Sequence, residues 1–245
     1  MRTLLLLALL CLPARALPPG LIAVHPVSRG IIGWWTFRQV TGSTTGIDTS
    51  GYGRNLASSY LGGGQPPFYY AYFTNGNQTF NCVNFQRSIY TASSFTGLPT
   101  GAAPCSQAFW VNAQQNGSYP AFVLFFCGAF INDSQINGIR IDNGVTGHVK
   151  LTTPPYDPVG FQVGLPTGTW YHLAFVCDGT YSRCYINGLY YNTVVAVQAI
   201  QSPITTFTFG NASGGFAYWG MLSDYRIYNR TLSDAEVFQL ATQYQ

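Results

Sequence analysis

Acid-catalysed cleavage of a glycosidic bond needs two carboxyl groups flanking it, about 5 Å apart when one attacks and the other donates a proton. This 245-residue chain has one glutamate, Glu236, and seven aspartates: Asp48, Asp133, Asp142, Asp157, Asp178, Asp224 and Asp234. No two aspartates stand two residues apart, the spacing that sets side chains on one face of a strand, so only distant loops could bring a pair together. Glu236 sits in Ser233-Asp234-Ala235-Glu236, where its carboxylate is spent on a helix cap. A nucleophilic hydrolase reads no better, because the chain has no Gly-x-Ser-x-Gly elbow and its histidines, His25, His148 and His172, are scattered singly. His172 lies in an aromatic strand and reads as a packed residue, while His25 reads as exposed. Gly62-Gly63-Gly64 runs into Gln65-Pro66-Pro67 and lacks the lysine and helix start of a phosphate loop. No catalytic residue is assigned, and the chain is expected not to be an enzyme.

The thiols and amides point to an oxidising compartment. Residues 1–16 carry a basic start at Arg2, an apolar run from Leu4 to Leu12 and a small-residue exit at Ala14-Arg15-Ala16, the layout of a cleaved secretory leader. That run is shorter than the roughly 20 residues a membrane span needs, so secretion without membrane insertion is expected. Cys11 leaves with the leader, and Cys82, Cys105, Cys127, Cys177 and Cys184 remain, an odd number. Cys177 and Cys184 flank a short hairpin and are the first candidates for a disulfide, with the pairing of the other three left open. No two cysteines have zinc-finger spacing. Five Asn-x-Ser/Thr acceptors, at Asn77, Asn116, Asn132, Asn211 and Asn229, suggest that glycans cover a surface in which charged residues are only 8% of the chain and aromatics 16%. The single lysine, Lys150, and a charge that approaches neutrality once Arg2 and Arg15 depart argue against a nucleic-acid partner.

Positioning these residues falls to many short strands. Runs at Ile31–Phe37, Phe68–Phe73, Thr79–Phe85, Gln107–Ala113, Ala121–Cys127, Gly138–Ile141, His148–Leu151, Tyr171–Cys177, Arg183–Ile186, Thr193–Ala196, Thr206–Phe209 and Tyr218–Tyr228 are separated by Gly, Pro, Asn and Ser clusters. Tyr171–Cys177 is apolar on both faces and is expected to be central. Asn187-Gly188 and Asp178-Gly179 read as turns. One helix is expected, from Asp234 to about Thr242, with Ser233 and Glu236 as its capping box and Leu232 and Val237 as its hydrophobic staple. The fold class is all-β, a two-sheet antiparallel sandwich with one short C-terminal helix, formed as a single domain over residues 17–245.

The order of motifs resembles the laminin-G-like jelly roll of the concanavalin A-like lectin/glucanase superfamily. The resemblance is carried by Gly33-Trp34-Trp35-Thr36-Phe37, by Asp48-Thr49-Ser50-Gly51-Tyr52-Gly53-Arg54-Asn55, by Gln107-Ala108-Phe109-Trp110-Val111, by Trp170 to Thr180 with Tyr185-Ile186-Asn187-Gly188, and by Phe216 to Glu236. It implies a jelly roll and a secreted binding module for carbohydrate, matrix or cell-surface ligands. Many relatives bind calcium, which would make Asp48 and Asp224 its carboxylates here, although Arg38-Gln39 replaces a frequent acid. Glucanases of the superfamily place their acids in a Glu-x-Asp-x-x-Glu arrangement that this chain lacks. A sugar site would need exposed aromatics with amide or hydroxyl partners, which the segments Pro66–Phe73, Tyr190-Tyr191-Asn192 and Phe216–Trp219 could supply. The alternative is a self-assembling subunit of an extracellular coat, filament or matrix, in which few charges and an odd thiol serve repeated association.

Overall fold

The computed structural model describes residues 26–37, 43–60, 69–75, 78–86, 88–93, 97, 99, 103–114, 121–127, 137–142, 148–152, 165–166, 168–194, 206–212, 216–217 and 219–242. The expected leader and the acceptors Asn77, Asn116 and Asn132 lie outside them, as do His25, Asp133 and Asp157.

Strands in chain order are β1 (Ile31–Trp35), β2 (Thr45–Gly46), β3 (Leu56–Tyr60), β4 (Tyr69–Asn75), β5 (Gln78–Gln86), β6 (Ser88–Ser93), β7 (Cys105–Ala113), β8 (Ala121–Cys127) and β9 (Asn137–Asp142). They continue as β10 (His148–Thr152), β11 (Tyr171–Cys177), β12 (Ser182–Ile186), β13 (Leu189–Val194), β14 (Thr206–Phe209), β15 (Asn211–Ala212), β16 (Phe216–Ala217) and β17 (Trp219–Tyr228), before helix α1 (Asp234–Thr242). One sheet runs β13-β12-β11-β7-β17-β5-β4, with β1 also paired to β17, and the other runs β10-β9-β8-β14-β6-β3-β2. All the pairings are antiparallel. The expected all-β sandwich with one C-terminal helix is therefore the observed architecture.

The core lies between the sheets because alternate residues of each strand face inward. Phe85, Phe109, Leu173, Phe175, Leu222 and Tyr225 from the first sheet meet Leu56, Tyr90, Phe207 and Phe209 from the second. Trp35 stacks on Phe207 at 5.4 Å and meets Phe209 edge-on at the same distance. Each fully buried ring of this kind contributes roughly 2–3 kcal/mol.

β11 is central, as its doubly apolar pattern predicts. Leu173 and Phe175 face the sandwich core, while Ala174 and Val176 face a second cluster with Val237 and Leu240 of α1. The helix starts where its cap predicts: the Ser233 amide donates to Glu236 at 2.9 Å, and the Glu236 amide donates back to the Ser233 hydroxyl at 3.3 Å. Leu232 and Val237 are both fully buried, completing the staple.

Three features depart from expectation. β13 begins at Leu189 instead of Thr193, because the Asn187-Gly188 turn leads directly into pairing with β12. β2, β3, β6, β15 and β16 were not foreseen. β17 is interrupted by a bulge between Ser223 and Arg226, where Asp224 takes a positive φ of 45°. That twist sends Tyr225 into the core and leaves Arg226 on the opposite face.

Candidate functional site

Asp48 and Asp224, 176 positions apart in the chain, are brought to one residue, Trp34. The Trp34 amide donates to Asp48 Oδ1 at 3.0 Å, and its indole Nε1 donates to Asp224 Oδ1 at 2.6 Å. Asp48 also accepts from the Ser50 amide at 2.9 Å, the Ser50 hydroxyl at 2.8 Å and the Arg54 amide at 2.9 Å. It thereby folds the Asp48–Asn55 loop onto β1, with Gly51 and Gly53 at the positive φ values of 92° and 68° that the tight path requires. Asp224 is paired with Arg226, whose Nη2 lies 3.0 Å from Oδ2 and whose guanidinium covers the Trp34 ring at 4.4 Å. Both carboxylates are buried.

These acids do not fit a calcium ion. A hard cation wants six to eight oxygen ligands, whereas each carboxylate here already has its oxygens committed to N–H or O–H donors. A guanidinium also occupies the approach to Asp224. Among the described residues, no three His, Cys, Asp or Glu side chains gather to hold a metal. The two acids are structural ties between β1, the following loop and β17.

Glu236, Asp178 and Asp234 are likewise engaged. Glu236 accepts both guanidinium nitrogens of Arg230, at 2.6 and 2.9 Å, and this holds its carboxyl down to about 2. Asp178 accepts the Thr180 and Tyr181 amides and pairs with Arg183 at 3.3 Å. Its pKa is lowered, chiefly by the Tyr181 amide. Asp234 accepts the Tyr185 hydroxyl at 2.6 Å. His172 is buried edge-on to Trp110 at 5.4 Å, and burial, aided by the charge of Arg226, lowers its pKa to about 3. The ring is therefore neutral across the physiological range.

The expected Cys177–Cys184 bond is corrected by the strand register. No bond joins these two sulfurs. Cys177 stands opposite Ser182 and Cys184 opposite Phe175, so the two are diagonal neighbours. Diagonal positions lie about 7–8 Å apart, beyond the reach of a disulfide without backbone movement. Cys184 belongs to the sandwich core.

Among the described residues, exposed apolar and aromatic side chains gather at one sheet edge and on the neighbouring helix. Leu189, Tyr190 and Tyr191 on β13 are 65%, 55% and 46% exposed, and Phe238 on α1 is 50% exposed. The Asn187-Gly188 turn is built for this placement: φ values of 51° and 82° make it tight, and Asn187 accepts the His172 amide at 2.9 Å. A Cβ at Gly188 would meet Phe238 Cα and Ala241 Cβ at 3.0 Å, so the turn lies directly against the helix. The Tyr190 ring leans edge-on to Tyr185 at 5.9 Å, and its hydroxyl shares a 2.7 Å hydrogen bond with Thr193. Asn192 and Thr193 add polar groups along the same strand.

Of the three aromatic segments marked by sequence, only Tyr190-Tyr191-Asn192 can be placed as an exposed surface. Residues 66–68 and Tyr218 lie outside the described residues, and the rest of those two segments lies in β4, β16 and β17. Sequence reasoning missed Leu189 and Phe238. The available signal was helical spacing, since Val237, Leu240 and Ala241 turn inward and leave Phe238 outward. Of the described acceptors, Asn211 lies in β15 and Asn229 is exposed just beyond β17.

Comparison with known proteins places this architecture. The family described as the concanavalin A-like lectin/glucanases superfamily, of laminin-G type, matches residues 85–238. No curated protein matches the chain. Domain 4 of AbnA, a GH43 extracellular arabinanase from Geobacillus stearothermophilus in complex with arabinotriose, superimposes with a TM-score of 0.63 at 19% identity, covering 86% of this chain and 98% of that one. The binding domain of botulinum neurotoxin DC in complex with rat synaptotagmin II gives a TM-score of 0.62 at 14% identity over 89% of this chain. A botulinum neurotoxin type C structure, concerned with its interaction with two ganglioside molecules, gives 0.60 at 16% identity over 89% of this chain. The chain spans about half the length of both neurotoxin chains, 52% in each case.

Proposed function

Since this chain belongs to the laminin-G-type family of the concanavalin A-like lectin/glucanases superfamily, we propose that it is a non-catalytic binding module for carbohydrate on an extracellular or cell-surface ligand. The observation that carries the reading is the exposure of Leu189, Tyr190 and Tyr191 on the edge strand β13 and of Phe238 on α1, with the Asn187-Gly188 turn packed against that helix. Tyrosine rings present a flat apolar face to the C–H face of a sugar and a hydroxyl to its polar edge, while Asn192 and Thr193 supply hydrogen-bonding partners. Fold neighbours complexed with arabinotriose or concerned with gangliosides support a glycan ligand, beside one complexed with a protein. The leader at residues 1–16 and the five acceptor asparagines support secretion as a glycoprotein.

The test is a glycan array on the protein secreted from eukaryotic cells, followed by calorimetric titration of any hit against Y190A and Y191A. Binding to defined glycans that falls at least tenfold in either variant, with unchanged melting temperature, is the expected result. Silence across a broad polysaccharide set would overturn the carbohydrate reading. If silence came with concentration-dependent polymers in light scattering, the structural-subunit reading would replace it.

A further inference from the structure

We propose that Cys105 and Cys177 close a cross-strand disulfide between β7 and β11, and that this bond clamps the segment joining β17 to α1. The two residues are register partners at the last rung of the β7–β11 pair, following Leu173 opposite Phe109 and Phe175 opposite Gln107. Directly opposed residues of an antiparallel pair have Cα atoms about 4.5–5.5 Å apart, inside the 4.4–6.8 Å window of natural disulfides. The Cys105 and Cys177 thiols are already hydrogen-bonded to each other. No other pair among the described cysteines combines opposition in register with contact between the sulfurs.

Reactivity separates this pair from its neighbours. Cys105 and Cys177 are half-buried, whereas Cys82 and Cys184 are fully buried. The hydrogen bond from Cys105, helped by the Gly179 amide and by Ser182, brings Cys177 down to about 6 despite partial burial. Burial pushes Cys184 up to about 12. Cys177, lowered by these donors, is the readier nucleophile, and Cys184, raised by burial, is the inert one. The oxidant is a small or protein disulfide of the secretory compartment. The Cys177 thiolate attacks one of its sulfurs, forms a mixed disulfide and expels the first thiolate. The Cys105 sulfur, losing its proton, then attacks Cys177 and expels the second. Two protein thiols lose two electrons, the oxidant is reduced to two thiols, and the two cysteine protons end on those products.

The location gives the bond its structural consequence. Next to Cys105, the Ser106 hydroxyl donates to the Arg230 carbonyl at 2.8 Å and accepts the Leu232 amide at 3.0 Å. Beside it, the Thr231 hydroxyl donates to the Cys177 carbonyl at 3.2 Å. Closing a loop of about 70 residues at this rung fixes both strands beneath the connection that leads into α1.

The experiment is disulfide mapping of the full chain secreted by eukaryotic cells. Free thiols are alkylated in the folded protein, and the peptides from non-reducing digestion are sequenced by mass spectrometry. A Cys105–Cys177 linked peptide is expected, together with a fall of roughly 10 °C in melting temperature on reduction. C184S should keep both the link and the fall, while C105S should leave Cys177 open to alkylation. The proposal is overturned if Cys105 and Cys177 are recovered alkylated, or if either is joined to Cys127, Cys184 or a second chain. Should C105S fail to fold, mapping of the unaltered protein still decides between these outcomes.

Discussion

Two titratable residues are shifted for opposite reasons, one by burial and one by its partners, and each lowers stability in acid over its own range. His172 is kept neutral by burial, with a folded pKa of about 3 against the ordinary 6.5. Between those values the unfolded chain takes up a proton that the folded chain refuses, so stability falls as the pH drops from about 6.5 toward 3. Replacing the ring with Phe, which fills similar space edge-on to Trp110, should flatten that slope while changing stability at pH 8 by about 1 kcal/mol or less. Urea melts at pH 8, 6 and 4.5 provide the comparison, and a slope that persists in H172F would mean that another group dominates. Glu236 behaves differently, because it is stabilised as an anion by Arg230 and by the Ser233 amide. Its contribution is complete above about pH 4.5 and disappears as the pH falls toward 2. E236Q should therefore lower stability by about 2 kcal/mol at neutral pH, through loss of both the ion pair and half the capping box. The deficit relative to the unaltered chain should shrink in acid.

At the scale of elements, the β12–β13 hairpin and α1 act as one unit. The turn between the strands was readable in advance because Asn and Gly tolerate positive φ, and Asn187 and Gly188 adopt it. What could not be read was the reason this glycine is irreplaceable: Phe238 and Ala241 press against it from the helix. G188A introduces both a left-handed alanine and a Cβ at 3.0 Å from helix backbone, and should cost about 2–3 kcal/mol. The measured consequence should reach beyond stability, because the helix that loses its seat also positions Phe238. A proper comparison is L189A, which deletes exposed surface and should leave the melting temperature within about 2 °C. Equal losses in both variants would mean that the hairpin and the helix are not mechanically joined.

Across the whole molecule, the sandwich was legible where strands alternate or run apolar, as in β8, β11 and β14, whose boundaries coincide with the sequence reading. The helix was legible because its cap is chemical. β3 was opaque because Leu56-Ala57-Ser58-Ser59-Tyr60 is small and polar, and it becomes a strand by pairing with β6 and β2. The acids show a harder limit. Sequence could place Asp48 and Asp224 in family order, yet whether they hold an ion depends on Trp34, 14 and 190 positions away, which donates to both. Their hydrogen bonds lead to a prediction that opposes the one drawn from resemblance. Adding millimolar calcium, or removing it with chelator, should shift the melting temperature by less than about 1 °C, since a resident ion at a hundred times its Kd would add nearly 3 kcal/mol. D224N, by contrast, should cost about 3 kcal/mol with or without calcium. It strips the buried Arg226 of its counter-charge and leaves a guanidinium only 6% exposed over the Trp34 ring. A calcium-dependent melting temperature abolished by D224N would return these acids to the role of ligands. The calcium-independent loss expected here instead makes them the ties that hold the first strand, its loop and the last strand in one frame.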